Sequence, residues 1–189
     1  SLHDALPISK EPPLGSPMSL NLPPMQRATL ANGLKVVLAE RHSAPVVNFN
    51  LLIDSGYASD PAAAPGTASF AQAMLLEGTA KRDSLAIGEQ TAAIGATITP
   101  GANLDFVNIS LNTLKAALDP ALDIYADVVL HPAYPQKEFE RLQKERLAAI
   151  QRERTVAAQV ANRVLPALLF GKGHPYAGPA SGLGTEDAV

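Results

Sequence analysis

The sequence has no cysteine and no tryptophan, and aromatic residues make up only 5% of its 189 positions. Without cysteine, these residues cannot form a disulfide bond or a thiolate zinc site. No uninterrupted apolar run approaches the roughly 20 residues that a membrane-spanning helix needs. The formal net charge is -3 and no run of lysine or arginine stands out, which gives little support to nucleic acid or an anionic membrane as a partner.

The composition indicates a folded domain, preceded by a segment that is not part of that domain. Hydrophobic residues make up 47% of the chain, which is typical of a globular domain. Residues 1–8 read SLHDALPI, the translation of a common sequencing adapter, and we interpret them as an artefact. Residues 9–24 hold five prolines and predict a linker, because proline resists helix and removes backbone donors. The folded domain is predicted to cover 25–189 and to be truncated at its C-terminal end.

The periodicity of apolar residues predicts strands and helices in mixed order. Asn32-Gly33 is a turn dipeptide ahead of an apolar run, and apolar residues alternate with asparagines over 47–53, as in a half-buried strand. The predicted elements are a strand over 34–39, a strand over 47–53, a helix over 66–77, a helix from Asp83 or Ser84 to Gly95, a hairpin over 96–111 that turns at Pro100-Gly101, a helix from Asp119-Pro120 that buries Leu122, Tyr125 and Val129, a helix from Pro135, and a helix capped by Thr155. This order favours an α+β fold, with helices packed on one mostly antiparallel sheet.

The histidines after residue 8, and the glutamates of the helix that begins at Pro135, have ordinary structural explanations. His42 is predicted to lie at the surface, and His131 to follow a helix whose dipole favours a cation there. His174, beside Tyr176, either contacts peptide or packs within its own loop. The glutamates of the helix after Pro135 alternate with lysine and arginine and predict a solvated face rather than a metal site. These glutamates are Glu138, Glu140, Glu145 and Glu153.

Several segments together carry a resemblance to a known family. Residues 30–37 read LANGLKVV, and residues 66–79 read GTASFAQAMLLEGT. The second segment fits the frame G-x-A-H-F-x-E-H-M-x-F-x-G-T at Gly66, Ala68, Phe70, Met74, Gly78 and Thr79. The sequence resembles the M16 (pitrilysin/insulinase-type) metallopeptidases over about 24–189, which implies a domain like that of the mitochondrial processing peptidases. An accidental match to an ordinary amphipathic helix is the alternative interpretation.

The resemblance also shows which chemistry has been lost. In active members of the family the motif H-x-x-E-H holds zinc through two histidines, and the glutamate acts as general base. The corresponding positions here are Ser69, Gln72 and Ala73, and the third family ligand, a glutamate, aligns with Ala149. An amide cannot take a proton at neutral pH, and alanine cannot bind a metal. We therefore predict no catalytic residue, no metal ligand and no cofactor in this segment.

The resemblance implies a role as the non-catalytic half of a zinc-dependent M16 peptidase. Such a half closes the peptide chamber and helps to bind the substrate, while an active half on the same chain or on a separate subunit holds the zinc. The expected partners are that half and a peptide, with no nucleic acid and no membrane span. Similarity to two-half bacterial members suggests the periplasm.

Three alternatives follow from the same residues. The chain could be a separate inactive partner subunit, or a structural or assembly protein of M16-like fold without a peptidase role. An enzyme using different chemistry at Ser69 is the third, and it is disfavoured because no neighbouring residue in the sequence supplies an activating base.

Overall fold

The structure is a computed structural model that describes Gly15 and residues 22–60 and 64–189. The interpretation of residues 1–8 as an artefact, and the linker over most of 9–24, lie outside the described residues. The chain divides into two compact units, 1–44 and 45–189, and each is treated by itself below. The assignment of 25–189 to one domain stays a prediction.

The first unit contains an antiparallel β-hairpin. Strand β1 (Met25–Thr29) pairs with strand β2 (Lys35–Ala39), so that Thr29 lies opposite Lys35. At the turn, the Leu34 amide donates to the Asn32 side-chain oxygen at 3.1 Å. The strand after Asn32-Gly33 is confirmed. Strand β1 was not predicted, because its sequence shows no alternation of apolar residues and only its pairing with β2 identifies it.

The second unit is built on a three-stranded antiparallel sheet. Strands β3 (Val46–Ile53) and β4 (Thr97–Ala102) both pair with the central strand β5 (Val107–Leu114). The α+β class with an antiparallel sheet is thus confirmed.

The hairpin of β4 and β5 turns at a different place from the one predicted. Pro100 and Gly101 lie inside β4, and the Asn103 side-chain oxygen forms the turn by accepting from the amides of Asp105 and Phe106, each at 2.9 Å. The prediction of a Pro100-Gly101 turn was wrong. In the described residues β4 pairs on one side only, and such an edge strand tolerates a proline.

The described residues contain five α-helices. They are α1 (Thr67–Met74), α2 (Ser84–Ala93), α3 (Leu118–Leu130), α4 (Gln136–Glu153) and α5 (Ala157–Phe170). The Asp83 cap is confirmed, since its side chain accepts from the Ala86 amide at 2.8 Å. Thr155 does not cap α5, because its hydroxyl donates to the Arg152 carbonyl at 2.8 Å. Helix α1 ends before the predicted Glu77, where the chain turns toward the bridge between Gly78 and Asp83.

The core lies between the sheet and α3. Ile109 and Leu111 of β5 and Ala121 and Val128 of α3 are almost completely buried, and the Tyr125 hydroxyl donates to the Ile109 carbonyl at 2.7 Å. Burial of Tyr125 is confirmed. Leu122 and Val129, which were predicted to be buried with it, are only partly buried, because the stripe that meets the sheet runs through positions 121, 124, 125 and 128.

Among the described residues, no helix is both long and apolar enough to span a bilayer.

Candidate functional site

The N-terminus of α1 is fixed by two features that bring distant parts of the chain together. The Asp60 carboxylate accepts from the amides of Gly66 at 2.7 Å and Ala68 at 2.8 Å, and so caps the helix. Gly66 has φ +95°, and a Cβ atom there would lie 2.8 Å from the Leu183 carbonyl oxygen. The first glycine of the motif is therefore required by a close approach of two backbone segments.

Ser69, Gln72 and Ala73 lie half-buried on α1. Ser69 and Ala73 are four positions apart and share one face of the helix. The Ser69 hydroxyl donates to the Gly182 carbonyl at 2.5 Å. This hydroxyl therefore holds the 180–184 loop against the helix.

The side chain that reaches Ser69 from α4 is Arg146. Its Nη1 donates to Ser69 Oγ at 2.8 Å and to the Gly66 carbonyl at 3.1 Å. The guanidinium carbon also stands 4.8 Å from the centre of the Phe70 ring, a distance typical of a cation–π contact. The sequence analysis did not identify Arg146, although it is only 9% exposed.

Burial lowers the pKa of the Arg146 guanidinium, and the negative charge of Asp60 acts in the opposite direction. An arginine starts so far above neutral pH that it keeps its charge in such a setting. The place beside Ser69 is therefore occupied by a cation.

Helices α1 and α4 run antiparallel. Arg146 meets Ser69 near the start of α1, while Arg141 forms an ion pair of 2.7 Å with Glu77 just beyond its end. Ala149 follows Arg146 along α4 by about 4.5 Å, given the rise of 1.5 Å per residue. The structure thus brings Ser69 together with Arg146, and the assignment of Ala149 to the third ligand position stays a prediction.

The residues at the motif positions do not fit a zinc ion. The Ser69 hydroxyl is a poor zinc ligand, the Ala73 methyl group cannot bind a metal, and the Gln72 amide cannot act as a base. The neighbouring guanidinium would also repel a dication. In residues 22–60 and 64–189, no group of three or more His, Cys, Asp or Glu side chains is placed to hold a metal ion.

A cavity of about 400 Å³ lies between α1 and α4. Its walls are mostly apolar and include Phe70, Met74 and Phe139, while Arg146 is the charged side chain that lines it. The rings of Phe70 and Phe139 meet edge to face with their centres 5.0 Å apart.

Thr79, the last residue of the motif frame, anchors a buried carboxylate. Its hydroxyl donates to Asp127 Oδ2 at 2.7 Å, and Arg82 Nη1 donates to the same oxygen at 2.6 Å. The bond from Thr79 is the largest cause of the lowered pKa of Asp127, and Arg82 adds to it. Thr79 therefore links the loop before α2 to α3 through its hydrogen bond to Asp127.

The structure accounts for each of the three predicted histidines. His42 is exposed, as predicted, and the His131 ring lies 3.6 Å from Asp127 at the end of α3. His174 packs within its loop, because its ring stacks on Phe170 and its Nδ1 accepts from the Tyr176 amide at 3.0 Å.

The predicted solvated face of α4 is correct only in part. Glu138 and Glu145 pair with Arg141, whose side chain is 44% exposed. Glu153 instead pairs with Arg163 at 2.5 Å, and both side chains are only 13% exposed. Glu153 was wrongly assigned to the solvated face, because its partner lies on α5.

The comparison with known proteins identifies one family. The model of the insulinase family (peptidase family M16) matches residues 35–174. The chain is 29% identical over 154 residues to mitochondrial-processing peptidase subunit alpha of Solanum tuberosum, covering 82% of this chain and 29% of that protein. It is 27% identical over 146 residues to a probable mitochondrial-processing peptidase subunit beta of Arabidopsis thaliana, covering 77% of this chain and 27% of that protein. The chain thus spans less than a third of the length of both curated relatives.

Solved structures share the fold. The crystal structure of a peptidase M16 inactive domain from Pseudomonas fluorescens superposes with a TM-score of 0.79 and 32% identity, covering 82% of this chain and 38% of that one. The crystal structure of pitrilysin gives a TM-score of 0.72 at 23% identity, covering 88% of this chain and 18% of that one.

Proposed function

Because the chain belongs to the insulinase family, peptidase family M16, we propose that it is part of the non-catalytic half of a zinc-dependent peptidase. In this role it closes the peptide chamber and helps to bind the substrate, while an active half supplies the zinc and the general base. That active half is either on the same chain or on a separate subunit. The compartment, for which the periplasm is predicted, is part of the proposal.

The observation that carries this proposal is the contact between Arg146 and Ser69. The motif frame is kept at Gly66, Phe70 and Met74, but the ligand positions hold no metal-binding group and a guanidinium stands 2.8 Å from Ser69 Oγ. A helix that has the frame residues of the motif, with a cation beside it, suits a domain that has the shape of an active half without its chemistry. The similarity to an inactive M16 domain from Pseudomonas fluorescens supports the same conclusion.

The face of the sheet turned away from α3 supports a role in peptide binding. Ile109 and Leu111 of β5 point into the core, so the alternate positions Asn108, Ser110 and Asn112 lie on the opposite face. Asn112 donates to Asn48 of β3 at 2.6 Å across this face. Uncharged amides and hydroxyls can hydrogen-bond to a peptide backbone without selecting the charge of its side chains.

The experiment that tests the proposal measures zinc and peptidase activity together. The full-length natural protein and this segment are purified in parallel, assayed for zinc by elemental analysis, and given a quenched-fluorescent peptide. We expect about one zinc and peptide cleavage in any assembly that includes the active half, and neither in the segment alone. Zinc-dependent cleavage by the segment alone would overturn the proposal.

The same experiment separates the alternatives. Full-length protein without zinc that becomes active with a separately encoded zinc subunit would indicate a separate partner subunit. Absence of peptidase activity in every purified assembly would indicate a structural or assembly protein.

A further inference from the structure

We propose that Pro100 closes the outer edge of β4, the side that faces away from β5, to strand addition. No further strand of the protein and no extended peptide can then pair along this edge. The closure follows from the register of the β4–β5 hairpin and from the missing amide of one residue, and it does not depend on the proposed function.

Pro100 lies in the middle of a regular strand. The register of β4 against β5 runs without interruption through six residue pairs, from Thr97 opposite Asn112 to Ala102 opposite Val107. A proline inside a sheet is found at the first residue of a strand, at a bulge, or on an edge strand with its nitrogen facing outward. Because Pro100 is the fourth residue of β4 and the register has no bulge, only the outward-facing edge remains.

The nitrogen of Pro100 faces away from β5. In an antiparallel pair, opposite residues either exchange two hydrogen bonds or turn their backbone groups away from each other. Pro100 lies opposite Ile109 and has no N–H to donate, so this pair is of the second kind. Its neighbours in β4 are therefore the residues that bond to β5. The Thr99 carbonyl does accept from the Ser110 hydroxyl of β5 at 3.1 Å, which places that carbonyl on the side of β5.

The outer edge of β4 consequently has a gap in its row of donors. Backbone groups alternate in direction along a strand, so those of Ile98, Pro100 and Ala102 face outward. Ile98 and Ala102 each present an N–H there, while Pro100 between them presents only a carbonyl and has its ring carbon Cδ in the place of the hydrogen. A strand laid along this edge would leave its central carbonyl without a donor and bring it against the ring.

The closure is a property of the residues of β4 themselves. It needs no empty space beside the strand, because a missing donor stays missing whatever lies next to it. Pro100 also divides the edge into a segment of three residues before it and a segment of two residues after it. Both are shorter than the usual strand of about 5–6 residues, so neither segment is long enough to hold a partner strand by itself.

A closed edge changes how a peptide is held, and this consequence rests on the proposed function. A peptide in the chamber cannot extend the sheet at β4 through main-chain hydrogen bonds. It can contact the sheet through side chains, and the face that carries Asn48 and Asn112 provides amides for such contacts. Pro100 therefore restricts where a peptide pairs without taking part in the reaction.

Amide hydrogen exchange in the full-length protein tests the closure. Mass spectrometry with electron-transfer fragmentation measures the exchange of single amides. We expect the protection factors of Thr99 and Gly101, which bond to β5, to exceed those of Ile98 and Ala102 at least roughly a hundredfold. The probe is acetyl-Lys-Thr-Val-Thr-Val-Thr-Lys-amide, whose β-branched residues favour an extended strand. Adding it at millimolar concentration should leave these protection factors unchanged.

Pro100→Val supplies the missing amide and removes the ring. The same peptide should then raise the protection factors of Ile98 and Ala102 at least roughly tenfold, because three outward-facing residues in succession can pair with it. The matched control is Thr99→Val, which changes a side chain on the same strand and adds no outward amide, so its exchange should match that of the natural protein. Protection of the Gly101 amide in each variant shows that β4 still pairs with β5.

Three results would overturn the proposal. One is protection of Ile98 and Ala102 equal to that of Thr99 and Gly101 in the natural protein alone, because another strand would then pair with the outer edge. The second is a rise in the protection of Ile98 and Ala102 when the peptide is added to the natural protein. The third is no effect of the peptide on Pro100→Val, because the closure would then not come from the proline. These measurements involve neither zinc nor peptide cleavage, so their failure is distinct from a failure of the proposed function.

Discussion

Arg146 donates a hydrogen bond of 2.8 Å to Ser69 Oγ, and this contact joins α4 to α1 at the residue that the sequence analysis aligns with the first histidine of the zinc motif. Ser69 also contacts the 180–184 loop, because its hydroxyl donates to the Gly182 carbonyl. One serine and one arginine thus join three segments that are far apart in sequence.

Restoring the zinc motif should fail while Arg146 is present. The quadruple variant Ser69→His, Gln72→Glu, Ala73→His and Ala149→Glu supplies the groups that the resemblance predicts to be missing, but a unit positive charge beside the metal costs several kcal/mol at an effective dielectric constant near 20. Adding Arg146→Met should strengthen zinc binding at least roughly tenfold. Competition with a fluorescent chelator measures both affinities.

The outcome that contradicts this expectation is equal zinc affinity with and without Arg146→Met. Adding Arg141→Met to the quadruple variant provides the matched control, since this arginine lies on the same helix but pairs with Glu77 rather than contacting Ser69. We expect the control to leave zinc binding unchanged.

The stem of Arg146 should contribute more to stability than its charge. The Arg146 residue is only 9% exposed, and Arg146→Met keeps a buried apolar chain in place of the stem while Arg146→Ala removes it. We expect Arg146→Ala to lower the free energy of unfolding by about 1–2 kcal/mol more than Arg146→Met does, from the apolar area lost. Urea unfolding of both variants measures the difference, with the exposed Arg152→Ala as control. Equal losses in the two Arg146 variants would assign the stability to the hydrogen bonds instead.

Asp127 should make the protein sensitive to acid. Its pKa is lowered in the folded state, so its contribution to stability is complete above the unfolded pKa of about 3.9 and is lost as pH falls through the lower folded value. Asp127→Asn should lower the free energy of unfolding by roughly 2 kcal/mol at pH 7, because Arg82 loses its buried carboxylate partner and keeps only the exposed Asp123.

Unfolding measured between pH 7 and pH 2 checks the sign of this effect. The gap between the natural protein and Asp127→Asn should narrow below about pH 4. Asp119→Asn, an exposed residue of the same helix, should show no such gap. A gap that stays constant down to pH 2 would contradict the role of the Asp127 charge.

Gly184 and Gly88 should respond in opposite ways to alanine. A Cβ atom at Gly184 would lie 2.0 Å from the Pro65 carbonyl oxygen, and the residue has φ +78°, so Gly184→Ala should cost at least about 2 kcal/mol. Gly88 lies inside α2 with open space around it, and Gly88→Ala should stabilise by about 0.5–1 kcal/mol. Thermal unfolding of the two variants gives the test, and equal effects would contradict the close approach at Gly184.

Local patterns in the sequence predicted much of this fold. Alternation over 47–53 identified β3, and Asp83 and Pro135 marked the starts of α2 and α4. These signals come from burial of one face and from capping, which act over a few residues. The motif frame made the family resemblance recognisable, because its residues all lie within one helix and the turn that follows it.

Features that depend on distant residues could not be predicted in the same way. Arg146 sits in a run of charged residues and resembles any solvated arginine until α1 is placed beside α4. Glu153 was misassigned for the same reason, because Arg163 lies on the next helix. The Pro100-Gly101 pair is a common turn signal, and it was overridden by the side chain of Asn103, which forms the turn of the hairpin.

The most direct test of the central claim compares peptide cleavage by the zinc-containing half alone and together with this half. We predict that kcat/KM for a quenched-fluorescent peptide rises at least roughly tenfold when both halves are present, as closure of a chamber around the substrate implies. We also predict that all the zinc stays with the active half. Equal kcat/KM with and without this half, or zinc bound to this half at the Ser69 position, would contradict the claim.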